Sequence, residues 1–344
     1  LDDDNGTALD VYAAGLLMEA ATGIGTSTNQ LDTTVTTLTA SAGSGGMFIN
    51  ETDGVTVDTV TVAINRVNGQ AGTAVESKTL SDLVTISNGN MVLVAGGTIT
   101  LNDGTDLLSG QTVTQDNTDG KAVSAAGNML LKATANDIVI NSYVTSTAGH
   151  ISLDAARDIL QNANDEAQAT TKSIDLVVGR DITMDNGTST TSANGNILLY
   201  AGTGNITIET ITAGNSTNGY GNVSITAAAT SGNTVGKIID RDGTVAEDSE
   251  YDITASSLIL KAGYAVGDGN NHIEVTVTTL TANAGIGGLY VTAKELVSGG
   301  NVTVDKLMVD VTRVGPVASV PTTATGTASV THEDLRATGA GNSV

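Results

Sequence analysis

Three aspartates, Asp137, Asp158 and Asp181, stand at matched places before short apolar runs, and Asn205 takes the fourth such place. Arg157 and Arg180 directly precede two of them. If each position belongs to one layer of a stacked structure, the carboxylates lie about 5 Å apart and repel. Two chemistries relieve that repulsion. One is a ladder of Ca²⁺ ions bridging hard oxygen ligands. The other is a solvated, turn-capping Asp in each layer, with the adjacent Arg supplying the opposite charge. Further acidic loops are LDDDNGT (1–7), LNDGTD (101–106), QDNTDG (115–120), DRDG (240–243) and GDGNN (267–271). Asp-x-Asp-Gly spacing can hold calcium, but none of them is an EF-hand loop or a Gly-Gly-x-Gly-x-Asp nonapeptide. Structural calcium is the one cofactor these residues leave open.

Catalysis finds less support. Glycoside hydrolysis needs two carboxylates at fixed separation in a groove. A polysaccharide lyase adds a base beside a cation, and sugar binding favours aromatic platforms. The chain offers 37 acidic residues but 14 Lys and Arg, 3 His, 1 Phe and no Trp. It has no Cys, which removes thiol nucleophiles, zinc-thiolate sites and a disulfide scaffold. His150, His272 and His332 are far apart in sequence. GNTVGKII (232–239) is one residue short of a phosphate-binding loop and carries Ile238 where Mg²⁺ needs a hydroxyl. No residue is assigned a catalytic or cofactor-binding role, and no enzyme is expected.

A formal net charge of −23 disfavours nucleic acid and anionic membrane surfaces. No apolar run is long enough for a transmembrane helix, so membrane insertion of this segment is not expected. Forty-one Gly and 2 Pro, with 40% hydrophobic residues, point to many tight turns joining short apolar strands rather than to disorder. The chain opens on Leu1 with no signal peptide, which predicts a processed or excised piece.

The elements that would position these residues repeat on a short period. GNMLLKATANDIVI (127–140), GHISLDAARDIL (149–160), KSIDLVVGRDITM (172–184), GNILLYAGTGNITI (195–208) and GNVSITAAA (221–229) begin 22, 23, 23 and 26 residues apart. GNMVLVAGGTITL (89–101) belongs with them. Five of the six open at a corner residue, Asn90, Asn128, His150, Asn196 or Asn222, and the strand that follows carries apolar residues two apart, with a polar residue between them as at Ile151 and Leu153. That is the period of a strand with one buried face. Asn and Gly suit a corner because they tolerate left-handed backbone. Units of this length with two or three short strands predict an all-β fold without substantial helix, a β-solenoid of coils of about 22–26 residues. A string of immunoglobulin-like domains would repeat every ~100 residues and lack the inner rhythm.

A longer period encloses the short one. TVTTLTASAGSGGMF (34–48) returns as TVTTLTANAGIGGLY (276–290), and residues 10–50 match 252–292 at 17 of 41 positions. After a five-residue offset, VTVDTVTVAINRV (55–67) matches VTVDKLMVDVTRV (302–314); after another, 83–92 matches 335–344. The expected organisation is one full unit over 1–238 and the first part of a second over 239–344, continuous with it. About ten coils per unit predict an axial advance of roughly 50 Å.

AARDILQ (155–161) and VGRDITM (178–184), each after a short apolar strand, resemble the coils of filamentous-haemagglutinin-type adhesins. Residues 20–57 resemble segments of very large, repetitive bacterial surface proteins. The resemblance implies a right-handed parallel β-helix in a long, secreted or cell-surface fibre used for attachment, cell-cell contact or matrix. Its partners would be other copies of itself or neighbouring repeats, with host, cell-surface or glycan ligands. A self-assembling filament or surface layer is the alternative, and a glycan-degrading β-helix the third reading. The insertions near 102–126 and 240–255 are the expected contact loops.

Overall fold

The structure, a computed structural model, describes residues 1, 6, 8–104, 120–228, 235–241, 251–296, 301–316 and 327–338. Among these, every regular element is a β-strand, and 33 strands join in one sheet. The sheet is a parallel β-helix with three sides. On the first side Met91–Ala95, Met129–Ala133, Ile151–Ala155, Ile174–Val178 and Ile197–Ala201 pair in parallel and in register. Ile99–Leu101, Ile138–Ile140, Ile159–Gln161, Ile182–Met184 and Ile206–Ile208 stack likewise on the second side. Lys121–Ala125, Tyr143–Ser146, Asp165–Ala167, Ser189–Ser192 and Thr210–Asn215 form the third.

The alternation dictates this packing. Ile151, Ile174 and Ile197 point inward and sit directly above one another, fully buried, as do Leu153, Leu176 and Leu199. Each such side chain contributes about 1.5–3 kcal/mol of burial. No single coil could bury its inner face without the next. Corner to corner, the coils run 22 residues (128 to 150), 23 (150 to 173) and 26 (196 to 222). The step from 90 to 128 is 38, because it holds the undescribed stretch 105–119. Two long antiparallel hairpins leave the helix, Val60–Val67 with Thr73–Leu80 and Leu307–Thr312 with Thr327–His332, and a short one pairs Gly214 and Asn215 with Tyr220 and Gly219.

The corners differ from expectation in their physical cause. None of Asn90, Asn128, Asn196 and Asn222 has positive φ, nor do the glycines before them. Glycine is required there by close approach. A Cβ on Gly149 would meet the Gly127 backbone at 2.1 Å, and one on Gly195 the Lys172 carbonyl oxygen at 1.8 Å.

The long repeat extends to individual hydrogen bonds. Leu16 pairs with Leu38 as Leu258 pairs with Leu280, and Ala40 with Leu83 as Ala282 with Leu335. Thr39 Oγ1 donates to the Asp82 carbonyl at 3.0 Å and Thr281 Oγ1 to that of Asp334 at 2.7 Å. Asp82 and Asp334 share a left-handed backbone, φ 69° and 76°. The sheet runs on through Lys237–Asp240 without a break. Matched strands nevertheless fall on different sides. Leu38 lies under Val57 and Leu101 on the second side, whereas Leu280 follows Leu258 and Val223 on the first. The repeat therefore closes after roughly eight and a half coils, not ten, and advances the axis by roughly 40 Å rather than 50.

Candidate functional site

The aspartate series forms a ladder. Arg157 Nε donates to Asp137 Oδ1 at 2.6 Å, its Nη2 to Oδ2, and the Asp158 amide to Oδ1 at 3.2 Å. One coil on, Arg180 clasps Asp158 in the same way, with Nε to Oδ1 at 2.8 Å, and the Asp181 amide donates to Oδ1 at 3.0 Å. Asp181 Oδ1 accepts the Asn205 amide at 2.7 Å, and Asn205 Oδ1 that of Lys237 at 3.0 Å. Charge-assisted and bidentate bonds of this kind are the strong ones. A cation at Asp137 or Asp158 would have to displace a guanidinium. The geometry is that of an arginine-neutralised cap between coils.

The corner residues build a second ladder. Asn90 Oδ1 accepts the Asn128 amide and Asn128 Oδ1 that of His150, both at 2.9 Å; Asn196 Oδ1 accepts that of Asn222 at 2.8 Å. His150 takes the asparagine's part, its Nδ1 accepting the Ser173 amide at 3.0 Å. An acceptor Nδ1 fixes the Nε2–H tautomer of a neutral ring. Burial, with Lys172 nearby, lowers the His150 pKa to about 4.

Sequence reasoning missed a third feature. Residues 310–316 lie along the outside of the first side, running against the coil order. Asn196 Nδ2 donates to the Asp310 carbonyl at 2.7 Å, and the Thr312 amide to Ser173 Oγ at 3.0 Å. Arg313 clasps Asp175 at 2.6 and 3.1 Å, and the Val314 amide reaches Ser152 Oγ at 2.8 Å. Val314 packs with Phe48, Val92 and Leu130, and Gln30 Nε2 reaches the Pro316 carbonyl at 3.1 Å. This strap covers outward positions that an uncovered helix would expose, so Val92, Leu130, Asp175 and Leu198 are all buried. Burial pushes the Asp175 pKa up, opposed by Arg313. The missed signal is the unbroken apolar run: MVL at 91–93, MLL at 129–131 and ILL at 197–199 mark strands covered on both faces.

Three further groups complete the inventory. Asp240, Asp252 and Glu274 are buried with carboxylate oxygens within 4.8 Å of one another, the one such group among the described residues that could share a cation. Asp165 points into the core between Val144 and Thr190, fully buried, and burial raises its pKa to about 8, so it is neutral at pH 7. The Thr190 hydroxyl beside it turns to Gln161 Oε1 at 3.2 Å. A groove of about 540 Å³ follows the corner between the second and third sides, lined by Asn141, Tyr143, Asn162, Asn164 and Thr188. Most of the expected contact loops, 105–119 and 242–250, lies outside the described residues. Among known proteins, the chain matches no family model, no curated protein and no solved structure.

Proposed function

We propose that this chain is a rod-building segment of a secreted or cell-surface fibre that acts in attachment, cell-cell contact or matrix. The observation that carries the reading is that one unit and the first part of the next share a single uninterrupted sheet, so that units can add end on end. Its polar side chains support the same view. Asp137, Asp158, Asn128, His150 and Asn196 are engaged in bonds between coils, which suits a structural part better than a catalytic one. The similarity to haemagglutinin-type coils supports export. Contact with a glycan fits the groove at Asn141 and Asn162, where amides line the corner and Tyr143 is exposed.

Electron microscopy of the full-length native material tests the reading. The expected result is a rod with a meridional reflection near ~4.8 Å and a coarser repeat near ~40 Å. Compact separate particles without those spacings overturn it.

A further inference from the structure

The two long hairpins are counterparts in the long repeat; the first is tied to the strand beneath it by Lys78 and Glu19, yet only the second buries the apolar residues along its length. Val62, Ile64, Arg66 and Val67 correspond to Val309, Val311, Arg313 and Val314. The second set is buried, with Val309, Val311 and Val314 at 0, 1 and 2% exposure. Val62, Ile64 and Val67 stand at 44, 57 and 66%. Arg66 has no counterpart of Asp175 to meet and turns to Glu76 of its own hairpin at 2.7 Å.

The cause is positional. The second hairpin starts outside Thr279–Ala284 and continues over earlier coils of the first side. The first hairpin crosses Leu31–Ala42 and Val11–Ala20, beyond which no earlier coil lies among the described residues. Leu17 marks the spot: with Val62, Ile64 and Lys78 it lines an open groove of about 530 Å³, whereas its counterpart Ile259 is fully buried. The strand edge is open as well. Val11–Ala20 pairs only with Leu31–Ala42 among the described residues, while its counterpart Ser257–Ala262 pairs on both sides, with Asn222–Ala227 and Thr279–Ala284.

We propose that the hairpin at 60–80 is a strap for a preceding copy of this unit, seated on the strip formed by Ser152, Ser173, Asp175 and Asn196 of that copy. Arg66 then meets Asp175, and Val62, Ile64 and Val67 bury as Val309, Val311 and Val314 do. Each unit closes over the one before it. In the present chain that strip is already filled by residues 310–316, so a free second molecule offers no empty strip, and the partner is a copy joined in tandem. Because the unit does not close on a whole number of coils, successive straps lie on different sides of the rod. This inference rests on the fibre reading above.

The test compares the present chain with a doubled chain in which residues 1–242 are repeated ahead of it. Hydrogen exchange over 60–80 of the following copy is expected to slow about tenfold or more in the doubled chain, since docking removes the hairpin from the freely opening class. Arg66→Glu, at an exposed site in the single chain, is expected to leave the single chain unchanged and to restore fast exchange in the doubled one. Equal exchange in both chains, in a doubled rod that microscopy finds longer by roughly 40 Å, overturns the strap and leaves the fibre reading standing. A doubled chain that forms no longer rod overturns both.

Discussion

Residues 60–67 and 307–314 are identical at three of eight positions, Val62, Arg66 and Val67 against Val309, Arg313 and Val314, and each opens an antiparallel hairpin, but one side chain set faces water and the other a wall of Ser, Asp and Leu. Local pattern fixed the hairpin in both copies, through alternating β-branched residues with Arg at a matched place. What differs is the number of coils lying upstream. The second hairpin has the whole first unit to lie on, and the first has two strands. Burial of an outward-facing residue in this rod is therefore a property of the neighbouring unit, not of the strand that carries it.

The largest effect that would sharpen this contrast is a charge placed under the docked strap. Val311→Asp buries an unpaired carboxylate and is expected to cost about 4 kcal/mol of hairpin docking, read by hydrogen exchange over 307–332. Ile64→Asp in the undocked hairpin is expected to stay within about 0.5 kcal/mol. Equal costs would break the comparison.

Arg313→Ala follows at about 3 kcal/mol, because it leaves Asp175 buried without its guanidinium. Burial already holds the folded Asp175 pKa above its unfolded value, so the variant loses further stability as pH rises through the carboxylate range. Arg66→Ala removes an exposed pair and is expected to cost less than about 0.5 kcal/mol. Denaturation followed at several pH values separates the two.

Substitutions in structure common to both copies should erase the difference. Gly25 and Gly267 are counterparts with φ 59° and 61°, and a Cβ on either would lie 2.4 or 2.5 Å from a backbone carbonyl oxygen, of Phe48 or Tyr290. Gly25→Ala and Gly267→Ala are each expected to cost about 2 kcal/mol. A large disparity in thermal unfolding would mean that the copies are less alike than their hydrogen bonds imply.

Acid should act on one hairpin alone. The folded His150 pKa, about 4, lies below the unfolded value of 6.5. The stability it contributes is thus complete above pH 6.5 and is lost as pH falls towards 4. Protonated Nδ1 cannot accept the Ser173 amide, and Ser173 Oγ holds the Thr312 backbone. Exchange over 307–316 is expected to quicken across that window while 60–80 stays unaffected; His150→Asn, which restores the usual corner residue, is expected to abolish the effect.

Much of the architecture was legible in the chain. The 22-to-26-residue rhythm, the paired apolar positions such as Ile174 and Leu176, and the Gly-Asn corners led to the coil, because stacked coils put like residues in one column. The role of His150 as an asparagine substitute could be seen from its slot. The corner's physical cause could not, since close approach between Gly149 and Gly127 exists only once two coils are stacked. Nor could the sequence show that Arg157 and Arg180 reach back across 20 and 22 residues to clasp Asp137 and Asp158.

By itself the sequence determined the coil, its register and the recurrence of the unit, because these follow from periods of two and of about 23 residues and from identities 242 residues apart. Only the tertiary structure decided that the unit closes between whole coils, that residues 310–316 strap the first side, and that Asp175 and Arg313, 138 residues apart, meet beneath that strap. Those contacts depend on how many coils lie between two segments and how far the axis has turned, and no local pattern encodes either quantity.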